Sequence, residues 1–423
     1  MPVTNSIKKN LRKMKTNLCA ILLVLILSLG GCSNNLTPVT IPADIVMTPK
    51  SLQLVKANNT FTFNLFKALP QGSLKNVMVS PLSISLALSM ALNGADGSTK
   101  TDMANALGLS DLSVDEINQV YLDLVTSLKK ADSDVVLNVA NSIWIKKDYP
   151  VLDSFIAINQ KYFDASVQKI VFDLSAVTTI NNWVNGKTST KIPKILDKIS
   201  SDEIMFLINA IYFNGKWQTQ FEKSQTQNGS FTLGTSSSVS TALMKVKKEF
   251  GYSQQVGYQA LKMPYGRGKF SMVVLLPGVG MTPDQIIEQL SPSSWETLGT
   301  SLNSSVKVDV WMPRFKFEWQ SDLNDVLSSL GMSVAFSAND ADFSKINSNG
   351  QLYITKVKHK TFIEVNEAGT EAAAATSIGI GLTSVGPMEP VFHVVRPFLF
   401  FITEEDTGAI LFAGKVENPL LSN

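Results

Sequence analysis

From about Ser51 to Asn418 the sequence offers no place to divide the chain. No linker, low-complexity tract or internal repeat interrupts it. Length alone suggests two or three domains. Yet the one polar stretch, Ser224–Ser240, is flanked by apolar strand patterns, so it reads as a loop and hairpin. A single large domain must bury every apolar run in this span. The strand-like runs are Val135–Ile145, Met205–Phe213, Phe270–Leu276, Val306–Met312, Leu352–Asn366, Phe398–Thr403 and Ala409–Val416. Met205-Phe206-Leu207-Ile208 is apolar on both faces, the pattern of a sheet covered on both sides. In Leu352–Asn366, Val357, His359, Ile363 and Val365 share one face, and Lys356, Lys358 and Lys360 share the other.

Helical signals concentrate in the first half. Ser80 is a good N-cap with Pro81 at the first helical position. The helix LSISLALSMALNG stops at Asn93-Gly94 and is apolar or small all round, so it is expected at the centre of the core. Thr99–Leu107, Ser113–Lys130 and Thr178–Lys191 read as further helices. The expected class is α+β, large sheets with helices packed over them.

The N-terminus follows different rules. Lys8, Lys9, Arg12, Lys13 and Lys15 precede an apolar run, Leu18–Leu29, that is short for a membrane span. The run ends in Leu29-Gly30-Gly31-Cys32. This resembles the bacterial lipoprotein signal, in which the chain is cut before the cysteine and the cysteine is acylated; an ordinary secretory signal is the alternative. Residues 1–31 are read as signal, 32–50 as a flexible tether and 51–423 as the domain. Export with a lipid at Cys32 would anchor the protein in the cell envelope, on the extracellular side. The whole chain has 37 basic and 35 acidic residues; removing the five basic ones named leaves 32 against 35, a net charge of −3. That gives no basic surface for nucleic acid. Cys19 leaves with the signal and Cys32 is lipidated, so no disulfide is possible in the mature chain and the core must supply stability.

Catalytic patterns are sparse. There are two histidines, His359 and His393, and no HExxH, paired CxxC or GxSxG. His359 lies on the apolar face of a strand, where a hydrogen-bonded core histidine is expected. His393 could act as a base, but no orienting partner is near in sequence. Gly186-Lys187-Thr188 resembles the end of a phosphate-binding loop, but that pattern needs glycine where Asn181 stands. Following Ile180 and Trp183-Val184, it reads as a helix end. An enzyme is not expected. No cofactor site is expected either: the helix over Ser113–Lys130 has only Lys129 and Lys130 as basic residues, too few for a polyanion groove.

Six stretches, in order, carry a resemblance. They are NVMVSPLSISLALSMALNGADGSTKTDM (Asn76–Met103), INNWVNGKTSTKIPKIL (Ile180–Leu196), NAIYFNGKWQTQF (Asn209–Phe221), MPRF (Met312–Phe315), HKTFIEVNEAGTEAAAAT (His359–Thr376) and RPFLFFI…TGAILFAGKVENP (Arg396–Pro419). Together they resemble the serpins, the serine-protease-inhibitor superfamily, from about Ser51 to the C-terminus. The resemblance implies three β-sheets, eight or nine helices, a monomer, and an exposed reactive loop, here about 367–395. It also implies a mechanism. A protease cleaves the loop and is held as a covalent acyl complex. The segment before the cut then inserts as a new strand of the main sheet and distorts the tethered protease.

The loop sequence suits insertion. Gly369 is a backbone pivot. Thr370 and Ala372, Ala373, Ala374, Ala375 and Thr376 are small enough to pass between strands, and Glu371 is the lone charge. If Thr370 faces the core, period two also turns Ala372, Ala374, Thr376, Ile378, Ile380 and Leu382 inward. Glu371, Ala373, Ala375, Ser377, Gly379 and Gly381 then face outward. Burying two Ile and one Leu contributes on the order of 5–8 kcal/mol before ordering costs. The resemblance further assigns Ser80, Ser83, Asn209 and His359 to a polar cluster controlling opening of the sheet. It assigns Glu367, Arg314 and Trp217 to the place where insertion begins. Ala368 stands where the family often has a charged residue.

In the family the cut usually follows the fifteenth residue from the hinge glycine, giving Thr383-Ser384, with Leu382 the alternative. No Arg or Lys lies between Glu367 and Arg396, which argues against trypsin-like targets. Elastase-, subtilisin- or chymotrypsin-like serine proteases, and papain-like cysteine proteases, are the expected partners. A serpin that kept the fold and lost inhibition, acting as a surface binding lipoprotein, is the alternative reading.

Overall fold

The computed structural model describes residues 42, 44–200, 203–349, 352–370 and 389–422. Among them are nine α-helices and fifteen strands, and the α+β class holds. In chain order the helices are α1 (Pro49–Ala68), α2 (Pro81–Leu92), α3 (Gly97–Ala106), α4 (Val114–Leu128), α5 (Asp153–Phe163), α6 (Leu174–Lys187), α7 (Pro283–Gln289), α8 (Pro292–Ser301) and α9 (Asn324–Leu327). The strands are β1 (Val77–Val79), β2 (Val135–Lys146), β3 (Ser166–Ile170), β4 (Met205–Lys216), β5 (Gln227–Thr232), β6 (Ser238–Gln255), β7 (Tyr258–Tyr265) and β8 (Phe270–Pro277). They continue with β9 (Ser305–Pro313), β10 (Phe315–Asp322), β11 (Lys358–Asn366), β12 (Gly369–Thr370), β13 (Val391–His393), β14 (Phe398–Glu404) and β15 (Ile410–Val416).

One sheet has six strands in the order β10-β11-β12-β4-β2-β3, antiparallel except for the β2–β3 pair. The other strands join one nine-stranded sheet. Two of the three expected sheets thus share hydrogen bonds, and the reason is β6. This long strand pairs with β5 at its start, with β9 over Leu243–Gly251 and with β7 at its end. Strands β14 and β15 are buried along their whole length, as the apolar runs Phe398–Ile402 and Ile410–Ala413 require; the buried polar ends are partnered, Glu404 by Thr407 and Lys415 by Asp284.

The central helix forms as its sequence dictates. Ser80 Oγ caps α2 by accepting from Ser83 N (3.3 Å), and every α2 residue except Ala87 is buried. Other expectations shift for local reasons. The strand expected from Leu352 is paired only from Lys358. Upstream, Asn324 donates to Thr355 O (2.9 Å) and accepts from Val357 N (2.8 Å), which removes these groups from the ladder. Helix α6 begins at Asp173, whose carboxylate accepts from Ser175 N and Ala176 N, and stops before Ser189 and Thr190, both at positive φ. The lookalike phosphate loop is therefore the end of α6, and Asn181 instead accepts from Ile195 N and Leu196 N. The expected tether ends earlier than Lys50, because α1 starts at Pro49. Just before it, Asp44 pairs with Lys269 and Ile45 N donates to Asp406 (2.8 Å), fixing these residues against the domain.

Candidate functional site

Strand β12 is two residues long and sits between β11 and β4. Thr370 lies opposite Val365 on one side and Gly215 on the other; Gly369 lies opposite Asn366 and Lys216. Among the described residues, β11 and β4 pair with β12 and not with each other. Gly369 and Thr370 therefore stand between β11 and β4 in the six-stranded sheet. Gly369 allows it. Its φ is 150°, and a Cβ there would stand 2.2 Å from Gly215 O. Thr370 faces the core: it is 3% exposed, and its hydroxyl lies 2.6 Å from that of buried Tyr265. This satisfies the condition on which the inward set of loop residues depends.

Glu367, just before β12, is held by several bonds. Arg314 Nε donates to its carboxylate at 2.9 and 3.0 Å, a second guanidinium nitrogen and the Thr226 hydroxyl donate as well, and Phe221 N donates to its carbonyl (3.0 Å). Burial pushes the Glu367 carboxyl up, but the bonds from Arg314 and Thr226 outweigh it and hold it below the usual carboxylate range. Trp217 closes the same turn, its indole donating to Asn366 O (2.9 Å) and its backbone N to Ala368 O (2.9 Å). Its ring stacks on Tyr265 at 4.4 Å. Ala368 is buried, so no charge could stand there without a partner.

The second cluster lies lower in the sheet. Ser80 N donates to His359 Nε2 (2.9 Å), so that nitrogen carries no proton. Ser80 Oγ donates to Leu411 O (2.8 Å). Ser83 Oγ donates to Asn209 Oδ1, Asn209 Nδ2 donates to Asn141 Oδ1 (2.6 Å), and Asn141 Nδ2 donates to Phe163 O. Strands β11 and β4 are thus each tied to the first turn of α2, through His359 and Asn209 respectively. Burial drives the His359 pKa down to about 3, so the ring is neutral. This is the core histidine expected from its strand face. His393 does find a partner, Asp309 at 3.0 Å across the parallel β9–β13 pair, and stacks on Trp311 at 3.8 Å.

Between these strands and α2 is an apolar cavity of about 180 Å³, lined by Ile84, Ala87, Leu88, Leu207 and Val357 among others, with Ser83, Asn209 and His359 at its wall. It explains why Met205, Phe206 and Leu207 are only half-buried where a fully covered sheet was expected.

The structure brings together Glu367, Arg314, Trp217, Gly369 and Thr370 at the sheet top, and Ser80, Ser83, Asn209 and His359 at its centre. Cys32, Glu371, Ala372, Ala373, Ala374, Ala375, Thr376, Leu382, Thr383 and Ser384 lie outside the described residues. Sequence reasoning missed Tyr265, Thr226 and Asn141. Asn141 had a signal, a polar residue on the inward register of an apolar strand, two residues after Val139. Tyr265 and Thr226 had none, because their partners lie more than a hundred residues away.

A family model described as "Serpin (serine protease inhibitor)" matches residues 56–419. A serpin-like protein of Methanosarcina mazei is 33% identical, covering 97% of this chain and 99% of its own. The human leukocyte elastase inhibitor is 35% identical over 87% of this chain and all of its own. The native-state crystal structure of the thermophilic serpin tengpin superposes with a TM-score of 0.81 at 33% identity, covering 89% of this chain and 96% of its own.

Proposed function

Because the chain belongs to the serpin family, we propose that it works as a suicide-substrate inhibitor of endopeptidases. Membership supports protease inhibition in general; what favours trapping by strand insertion is the register of β12. Gly369 and Thr370 already pair on both sides, between the two strands an inserting segment must join. Continued at the same register, the loop would place Ala372 opposite Ile363 and Phe213, and Ala374 opposite Thr361 and Ile211. Thr376 would then meet His359 and Asn209, and Ile378 would meet Val357 and Leu207. The small residues traverse the upper sheet, the threonine reaches the polar cluster, and the isoleucines reach the apolar cavity. That match of side-chain size and polarity to each row argues against a serpin that has lost insertion.

In this reading the protease serine or cysteine attacks the Thr383 carbonyl and Ser384 leaves as the new N-terminus. The acyl-enzyme persists because insertion outruns its hydrolysis. Elastase-, subtilisin- and chymotrypsin-like enzymes are the targets the loop fits, the last by cutting after Leu382, with papain-like enzymes reading Leu382 as an apolar neighbour. Acylation at Cys32 would hold the inhibitor at the envelope. Incubating the domain with one protease of each type and separating the products on denaturing gels tests this. The expected result is a covalent complex and a fragment beginning at Ser384 or Thr383. Clean cleavage with every protease left active would favour the surface binding lipoprotein instead.

A further inference from the structure

We propose that Tyr265 is a positioning residue for loop insertion, its hydroxyl holding Thr370 in the first row of the sheet before any cut is made. The inference rests on the inhibitor reading, which it deepens. Tyr265 and Thr370 are both buried, at 0% and 3% exposure, and their hydroxyl oxygens are 2.6 Å apart. Among the described residues, each hydroxyl has the other as its hydrogen-bond partner. The tyrosine ring cannot swing away. It stacks on Trp217 at 4.4 Å and meets the edge of Phe213 at 5.1 Å. Gly215 makes room for it, since a Cβ at that position would be 3.0 Å from Tyr265 Cδ1.

The consequence is kinetic. A buried Thr370 without a partner would be disfavoured relative to one in water, so the Tyr265 hydroxyl selects the docked hinge. Docking withdraws two residues, about 7 Å of reach, from the segment that follows. It restrains presentation of the scissile bond to a protease. It also completes the first step of insertion, which favours trapping over hydrolysis once the acyl-enzyme forms. Removing the hydroxyl should therefore move two quantities apart: association becomes faster, and more inhibitor is consumed per protease trapped. Simple destabilisation of the fold would not produce that pair.

The test uses Tyr265→Phe, which keeps the ring stack, and Thr370→Val, which keeps the shape. Thr370→Ser serves as the conservative control. Amide hydrogen exchange is measured on the uncleaved domain, without protease. The peptide carrying Gly369 and Thr370 is expected to exchange about fivefold faster in Tyr265→Phe and in Thr370→Val, the size of one net buried hydrogen bond. The double variant should equal either single one, and Thr370→Ser should match the parent. With a trapped protease, both single variants should show a higher association rate and a higher stoichiometry of inhibition. Unchanged exchange at that peptide, or equal acceleration across the whole domain, would overturn the assignment. If the parent domain traps no protease, the inhibitor reading fails, and the exchange result still decides whether Tyr265 docks the hinge.

Discussion

Mild acid should loosen the centre of the six-stranded sheet through His359. The ring accepts a hydrogen bond from Ser80 N (2.9 Å) and is 5% exposed, with its pKa lowered to about 3 from an ordinary 6.5. Folded His359 binds a proton less readily than unfolded His359. Its contribution is therefore complete above pH 6.5 and is lost as pH falls from there toward 3. Integrating that linkage between pH 7.5 and 5.5 gives a loss of about 1.4 kcal/mol, approaching one proton's worth per further pH unit. Glu367, also held below its usual range, begins to lose its contribution only near and below ordinary carboxylate values. Burial raises Glu404 and Glu417, which act in the opposite direction as pH falls, but they are common to parent and variant, so the difference between the two proteins reports the histidine. The perturbation is His359→Gln, whose amide oxygen can accept from Ser80 N without titrating. The assay is urea denaturation of the uncleaved domain at pH 7.5, 6.5 and 5.5. The first transition of the parent should fall with acid, and that of the variant should fall by less, the gap at pH 5.5 being about 1.4 kcal/mol. Equal acid sensitivity in the two proteins, or an NMR titration placing the His359 ring near 6.5, would refute the reasoning.

Four further outcomes follow from the same geometry. Glu367→Gln should lower domain stability by about 1–2 kcal/mol in thermal unfolding at pH 7, less than for a fully buried ion pair because Arg314 is 46% exposed. Gly369→Ala forces a Cβ to within 2.2 Å of Gly215 O, so β12 should undock at a cost of about 1–3 kcal/mol, read as faster amide exchange at Trp217 and Thr370. Ile378→Asp with Ile380→Asp should leave the uncleaved form's melting point unchanged and lower that of the cleaved form, each isoleucine contributing about 1.5–3 kcal/mol when buried. Thr370→Arg should turn the inhibitor into a substrate; an unchanged yield of covalent complex on denaturing gels would contradict insertion through the β11–β4 gap.

Much of this protein is written locally. Ser80-Pro81 set the start of α2, and Asn93-Gly94 followed by the α3 turn set its end, because caps need only neighbouring residues. The run Phe398–Thr403 was legible because burial on both faces gives five consecutive apolar residues before Thr403. Of the inward set that period two assigns to the loop, only Thr370 lies among the described residues, and it does face the core. Where the sequence misled, a distant side chain had intervened: Asn324 takes the backbone groups that would have extended β11 to Leu352, and no pattern within residues 352–366 announces it.

What only the tertiary structure decided is where the hinge already stands. The sequence marks Gly369 as a pivot, and a pivot can swing out or in. Packing resolves it, because Gly369 fits against Gly215 O, and Thr370 finds a buried hydroxyl partner on Tyr265. Likewise His359 and Asn209 were each recognisable as polar residues on apolar strands, but their joint attachment to the first turn of α2 was not. The physical reason is range. Caps and side-chain alternation are fixed by bonds between neighbours in the chain, whereas a buried hydroxyl or imidazole takes its partner from whichever strand the core brings within about 3 Å.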